Sequence, residues 1–176
     1  KRSLAVDLKN EASKEIVRRL VEKSDVVVEG FRPGVADRLG IGAAALRAVC
    51  PRLIYCSISG YGASGPWRDM PGHDLNYLAA AGAFAFSGQW RGQPHRSSLP
   101  VVDFVAGALL AVSIMCAIQE RTLTGTGRKL ELSLLDVALF CTSTRFGMAV
   151  DSAHRDLLRP TNDLFKTSDG RMISLG

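Results

Sequence analysis

Hydrophobic residues recur along this chain with two alternating periods, and the switches between them mark its elements. In "EASKEIVRRLVEK" they fall at Ala12, Ile16, Val17, Leu20 and Val21, the spacing of one helix face. Asn10 stands where an N-cap belongs, and acidic residues open that helix. Ahead of it, "RSLAVDL" alternates loosely around β-branched Val6 and predicts a strand. Behind it, "DVVVEG" is a short β-branched run, the mark of a strand buried on both faces. "FRPGVADRLGIG" predicts a turn and a short helix, "AAALRAVC" another helix, and "RLIYCSIS" (52–59) the next strand. Strand, helix, strand, helix, strand in this order predicts a parallel sheet with crossover helices.

The rhythm changes after Ser59. "GYGASGPWRDMPG" is a long Gly/Pro loop, of the kind that is often functional. A helix is predicted from about residue 73 to 87, followed by the polar loop "SGQWRGQPHRSSLP". "VVDFVAGALLAVSIMCAI" (101–118) is apolar throughout and long enough to raise a membrane span. Asp103 near its start and the Gln119-Glu120-Arg121 closure favour a buried core helix instead. "TLTGTGRK" reads as a turn, "KLELSL" as a strand, "LDVALFCTSTRFGMAV" as a helix, and the remainder as a loop and a first hairpin. The chain opens inside a predicted strand and stops on another, which marks it as a fragment of a longer polypeptide.

With 176 residues, 47% hydrophobic and 22% charged, the chain is long enough for one domain with its own core. The 22 Lys and Arg against 17 Asp and Glu leave a net charge of +5, which suits an anionic ligand. The basic residues are dispersed and not interleaved with aromatics, which argues against nucleic acid. Cys50, Cys56, Cys116 and Cys141 form no CxxC and no zinc spacing, so no metal and no disulfide framework is expected. Reduced thiols imply the cytoplasm or an organelle matrix.

Four motifs invite chemistry. Gly60, Gly62 and Gly65 match GxGxxG behind a strand, but Pro66 and Trp67 follow where a helix must start. No acidic residue closes a strand about 20 positions later, so a loop over an active site fits better than a dinucleotide fingerprint. "TGTG" at 124–127 precedes its strand and lacks the lysine of a phosphate loop, so it reads as a turn. His95 and His154 sit in polar stretches and read as surface residues, whereas His73 opens an apolar helix behind the Gly/Pro loop. Asp103 is the only charge between Ser98 and Glu120. Each has a plain reading, His73 as a helix-start residue beside an Asp74 cap and Asp103 as a charge favoured by a helix dipole. Each has a chemical one as well, since both are groups that take up and return protons. Spacing alone does not place one near the other.

"KRSLAVDLKN", "DVVVEGFRPGVADRLGIG", "PRLIYCSISGYGASGPWRDMPGHDLNYLA", "VVDFVAGALLA" and "RTLTGTGRKLELSLLD" occur in this order. Together they resemble the family III CoA-transferases, and "GHDLNYLA" resembles the α-methylacyl-CoA racemase branch, because the transferases usually lack histidine there. The resemblance implies an α/β fold, with a Rossmann-like parallel-sheet large domain over residues 1–160 and the start of a truncated small domain over 161–176. It implies an interlocked homodimer, a role in fatty acid and lipid metabolism, and an acyl-CoA substrate with no separate cofactor. No nucleic acid or membrane partner is expected, and the expected compartment is the cytoplasm, or a mitochondrial or peroxisomal matrix. By the motif match His73 and Asp103 are the acid/base pair. Val6, Asp7, Leu8, Lys9, Arg32, Gly72, Asp74, Leu75, Asn76 and Tyr77 line the CoA and acyl sites. A further acidic residue of the racemase site is expected beyond "MISLG". Racemisation of 2-methylacyl-CoA through an enolate is the reading that uses both residues. Transfer of CoA between carboxylic acids, with Asp103 as nucleophile, needs only one. A CoA-binding or dimerisation protein without turnover needs neither.

Overall fold

A computed structural model describes residues 1–85, 99–143 and 163–175. Its centre is a parallel three-stranded sheet of β1 (Val26–Glu29), β2 (Ile54–Ser59) and β3 (Lys129–Ser133), in that spatial order. Val26 pairs with Ile54 at one border of β2, and Tyr55 with Lys129 at the other. The family of β-branched and apolar residues in β2 follows from its place, since a central parallel strand is covered on both faces. Side chains of β2 alternate between the faces. Tyr55 and Leu53 pack with Val21 of α1 (Glu11–Val21) and Leu46 of α3 (Ala43–Val49). Ile54 and Cys56 pack on the other face with Leu110 and Ala117 of α5 (Val101–Thr124). Leu53, Ile54 and Cys56 are fully excluded from solvent. Burying a side chain of this size contributes ~1.5–3 kcal/mol.

Two crossovers build the layers. The short α2 (Val35–Arg38) and α3 join β1 to β2, while α4 (Asp74–Ala80) and α5 join β2 to β3. Helix α6 (Leu134–Thr142) leaves β3 directly, its start capped by the Ser133 hydroxyl, which accepts the Asp136 N–H at 3.2 Å. Helices α4, α5 and α6 share a second core of Tyr77, Ala81, Val102, Ala106, Val137 and Ala138. α5 therefore does two jobs: its C-terminal half covers the sheet, and its N-terminal half carries Asp103 to the α4–α6 cluster. The far end of α5 is pinned by Arg121, 8% exposed. Its guanidinium donates to Asp25 Oδ1 at 2.8 Å and to the Arg52 carbonyl at 3.1 Å. A buried cation needs such a set of acceptors. A separate antiparallel hairpin joins β4 (Asp163–Lys166) to β5 (Met172–Leu175).

Several expectations are revised. "RSLAVDL" forms no strand: Leu4 is exposed, and a strand needs a neighbouring strand to take its N–H and C=O groups, which residues 1–7 do not have among the described residues. The segment instead ends in a turn, with Asn10 N–H on the Asp7 carbonyl at 2.9 Å. The helix expected over 73–87 stops at Ala80, because Gly82 takes φ +74° and turns the chain into a 3-10 turn at Ala83–Ala85. α5 runs six residues past the apolar stretch, to Thr124, where Gly125 at φ +75° closes it. It is also less buried than a core helix. Val102, Ala106, Leu110 and Ala117 face inward, while Phe104, Met115 and Leu123 are 69%, 68% and 82% exposed. The reason is that described elements pack against α5 from one side. By length and composition it is the one described helix able to cross a membrane. The expected polar loop as far as residue 98, His95, His154 and the continuation of α6 towards residue 150 lie outside the described residues.

The "TGTG" turn is structural, as expected. Gly127 donates to the Pro51 carbonyl at 2.9 Å, and a Cβ there would stand 2.0 Å from the Leu53 carbonyl oxygen. Gly127→Ala is expected to lower stability by at least ~1–3 kcal/mol through this overlap with backbone. Gly107→Ala, within α5 where a Cβ meets nothing within 4 Å, is expected to raise it by ~0.5–1 kcal/mol. Urea midpoints of the two variants, moving in opposite directions, check both statements.

Candidate active site

Parallel strands deliver their C-terminal ends to one edge of the sheet, and in such folds that edge is where ligands bind. Here β2 ends at Ser59, and the loop that follows leads into α4. Two glycines of this loop are needed for close approach. A Cβ on Gly60 would lie 2.7 Å from the Tyr77 hydroxyl, and one on Gly72 2.7 Å from the Tyr77 ring. Tyr77 is 3% exposed and meets Tyr61 edge-on at 5.1 Å, while Tyr61 meets Trp67 at 5.8 Å. Of the GxGxxG pattern, Gly60 makes room for the aromatic cluster that seats α4, while Gly62 and Gly65 take φ +92° and +89° in the loop.

His73 is the N-cap of α4, in extended backbone, and is exposed. Its N–H donates to Asn76 Oδ1 at 3.0 Å, and its carbonyl accepts the Asn76 N–H at 2.8 Å. Asp74 follows, but its carboxylate does not serve the start of its own helix as expected. Asp74 Oδ2 accepts the Val102 N–H at 2.6 Å and the Asp103 N–H at 3.3 Å, so it caps α5. The residue at the N-cap of α5 is Pro100, which has no side chain able to accept those donors. This contact brings the two motifs together. Electrostatics report the same proximity: Asp103 is held above the usual carboxylate range, first by desolvation and then by the Asp74 charge, while His73 pulls it down. Tyr77 is pushed up by burial, by Tyr61 and by Asp103. On α6, burial and then Asp74 push the Cys141 thiol up.

The structure therefore places His73, Asp74, Tyr77 and Asp103 in one neighbourhood, with Gly72 packed beneath Tyr77. Leu75 and Asn76 are exposed on the first turns of α4. Val6, Asp7, Leu8 and Lys9 lie in the turn before α1, where the Lys9 N–H donates to Asp7 Oδ1 at 3.0 Å. Their hydrogen bonds are local. Arg32 lies elsewhere, lining a cavity of about 230 Å³ with Glu29, Tyr55, Ser57, Arg68 and Lys129. This cavity was not foreseen. It mixes cations with carboxylates, and the Ser57 hydroxyl donates to Glu29 Oε1 at 2.5 Å. The Tyr55 hydroxyl is buried there without a hydrogen-bond partner among the described residues. Arg32 and Arg68 offer donors suited to phosphate oxygens.

The CoA-transferase family III model matches residues 1–176. A protein of Fusarium pseudograminearum named acyl-CoA transferase is 34% identical over 98% of this chain and 40% of its own length. The human alpha-methylacyl-CoA racemase is 32% identical over 100% of this chain and 48% of its own. A crystal structure of a hypothetical protein from Mycobacterium tuberculosis superposes with a TM-score of 0.82 and 32% identity, covering 94% of this chain and 46% of that one. The chain thus spans about half the length of the relatives it matches.

The raised Asp103 carries a sign for stability. A carboxyl whose pKa is higher folded than unfolded binds more protons in the folded state, so its ionisation disfavours folding. Asp103→Asn is expected to be more stable than the wild type at pH 7. The difference should shrink as the pH falls through the folded pKa of Asp103 towards its unfolded value, near 3.9. Urea midpoints at pH 7 and pH 4 check this; a less stable variant at pH 7 would contradict it.

Proposed function

The chain belongs to CoA-transferase family III, and from that membership we propose that the full-length protein is an acyl-CoA racemase acting on 2-methylacyl thioesters. The observation that carries the reading is the junction of α4 and α5, where Asp74 ties the start of the His73 helix to the start of the Asp103 helix. Removal of a thioester α-proton needs a base on one face of the carbon and an acid on the other. With His73 neutral and Asp103 protonated, the imidazole takes the α-proton, the C–H electron pair moves into the enolate, and Asp103 returns a proton to the opposite face. The site then holds imidazolium and carboxylate, the starting state for the other enantiomer. The desolvation that raises Asp103 favours its protonated form, which suits the acid role.

Arg32 and the basic balance of the chain suit the phosphates of CoA. The separate β4–β5 hairpin supports a second domain opening near residue 161, with the parallel-sheet domain before it. An interlocked dimer of the full-length polypeptide completes this reading. CoA transfer is the second reading, favoured by the fungal relative named acyl-CoA transferase. In that reaction the Asp103 carboxylate attacks the thioester carbonyl, CoA leaves as the thiolate, and a mixed anhydride remains on the enzyme.

Deuterium uptake at the α-carbon of 2-methylacyl-CoA in D2O, followed by mass spectrometry with the full-length protein, separates the two. Racemisation with α-deuterium uptake is expected, and His73→Ala or Asp103→Ala should each slow racemisation by ~10²–10⁴-fold. An acyl group on Asp103 that hydroxylamine releases, with no α-exchange, would overturn the proposal in favour of transfer. Acyl-CoA binding with neither exchange nor acylation would overturn it in favour of a non-catalytic role.

A further inference from the structure

Asp74 belongs to the first turn of α4, yet its carboxylate is spent on another helix. It accepts both the Val102 N–H, at 2.6 Å, and the Asp103 N–H, at 3.3 Å. Helix starts leave N–H groups unpaired, and the residue in front of α5 is a proline with no side chain to meet them. The acceptor comes instead from the residue next to His73. One carboxylate therefore fixes the start of the Asp103 helix against the start of the His73 helix.

We propose that Asp74 is a positioning residue of the acid/base pair: it locks the His73 and Asp103 helices at a fixed separation and sets a second carboxylate beside Asp103. The proposal rests on the acid/base reading above. Two features support it. The geometry is that of a cap shared across elements 28 and 29 residues apart. The electrostatics run the same way, since Asp74 acts on Asp103 and also on Cys141 of α6. The groups facing Asp103 are His73, Asp74 and Tyr77 from α4 and its cap; from α6, Cys141 faces Asp74. Of these, Asp74 opposes ionisation of Asp103 and His73 favours it.

Asp74→Asn and Asp74→Ala in the full-length protein separate positioning from mere folding. Asparagine keeps an oxygen able to accept the Val102 N–H but removes the charge. Its urea midpoint is expected to stay near that of the wild type, while Asp103 titrates at lower pH. Carboxyl-13C NMR on Asp-labelled protein reads that titration directly, with Asp103→Asn identifying the signal. For the enantiomer whose proton Asp103 takes, the acidic limb of the exchange profile should move to lower pH with it. Alanine removes acceptor and charge, and should lose exchange by ~10-fold or more beyond the asparagine variant through misplacement. An Asp103 titration unmoved in Asp74→Asn, or exchange within twofold of wild type in Asp74→Ala, would overturn the proposal. If the wild type shows no exchange, the racemase reading fails, while the NMR titration still decides the role of Asp74.

Discussion

Two helices begin beside each other near the edge where the parallel strands end, and a single carboxylate holds their starts together. The N–H groups of a first helical turn must find acceptors, and Pro100 denies α5 a cap of its own. Asp74 supplies the acceptor from α4. What would elsewhere be a local cap is here a tertiary contact, so the need to satisfy α5 also fixes the distance between His73 and Asp103. A cap of this kind is worth ~1 kcal/mol. Its importance lies less in that energy than in joining the starts of two helices.

The rest of the fold serves to hold α5 in that position. Its middle and C-terminal half are anchored over β2 and β3 through Leu110 and Ala117. Its end is tied by Arg121 to the backbone preceding β1 and β2. At its start, Val102 and Ala106 share a core with Tyr77 and Val137. Helix α4 is seated by an aromatic cluster that only glycine at positions 60 and 72 leaves room for. A helix clamped at both ends is a rigid mount, and rigid mounts are what acid/base geometry needs. Asp103 itself is exposed, and the limited desolvation it does feel, together with the Asp74 charge, raises its proton affinity.

Much of this was legible along the chain. β-branched runs marked β1 and β2, and Asn10 marked the start of α1, whose Ala12 N–H it caps at 2.9 Å. "TGTG" was rightly read as a turn, because its glycine approaches the backbone of Leu53. The errors have physical causes. "RSLAVDL" has strand composition but no ladder partner among the described residues, and composition cannot supply one. Gly82 ended α4 early, a stop that an apolar run conceals. The exposure of Phe104 and Met115 depends on what packs around α5, which periodicity does not encode. The link from Asp74 to α5 joins positions far apart in sequence, and its one local trace was a proline where a capping side chain belongs. The cavity around Arg32 and Tyr55 is built from three strands, two loops and the short helices α2 and α3, so no single stretch announced it.

The central claim is that His73 and Asp103 serve opposite faces of one carbon. The most direct measurement is α-deuterium uptake into each enantiomer of a 2-methylacyl-CoA separately, with His73→Ala and Asp103→Ala full-length proteins in D2O. A crossed pattern is expected: each variant exchanges the enantiomer that faces its remaining base, without inverting it, and fails on the other. Loss of exchange with the same enantiomer in both variants would contradict it.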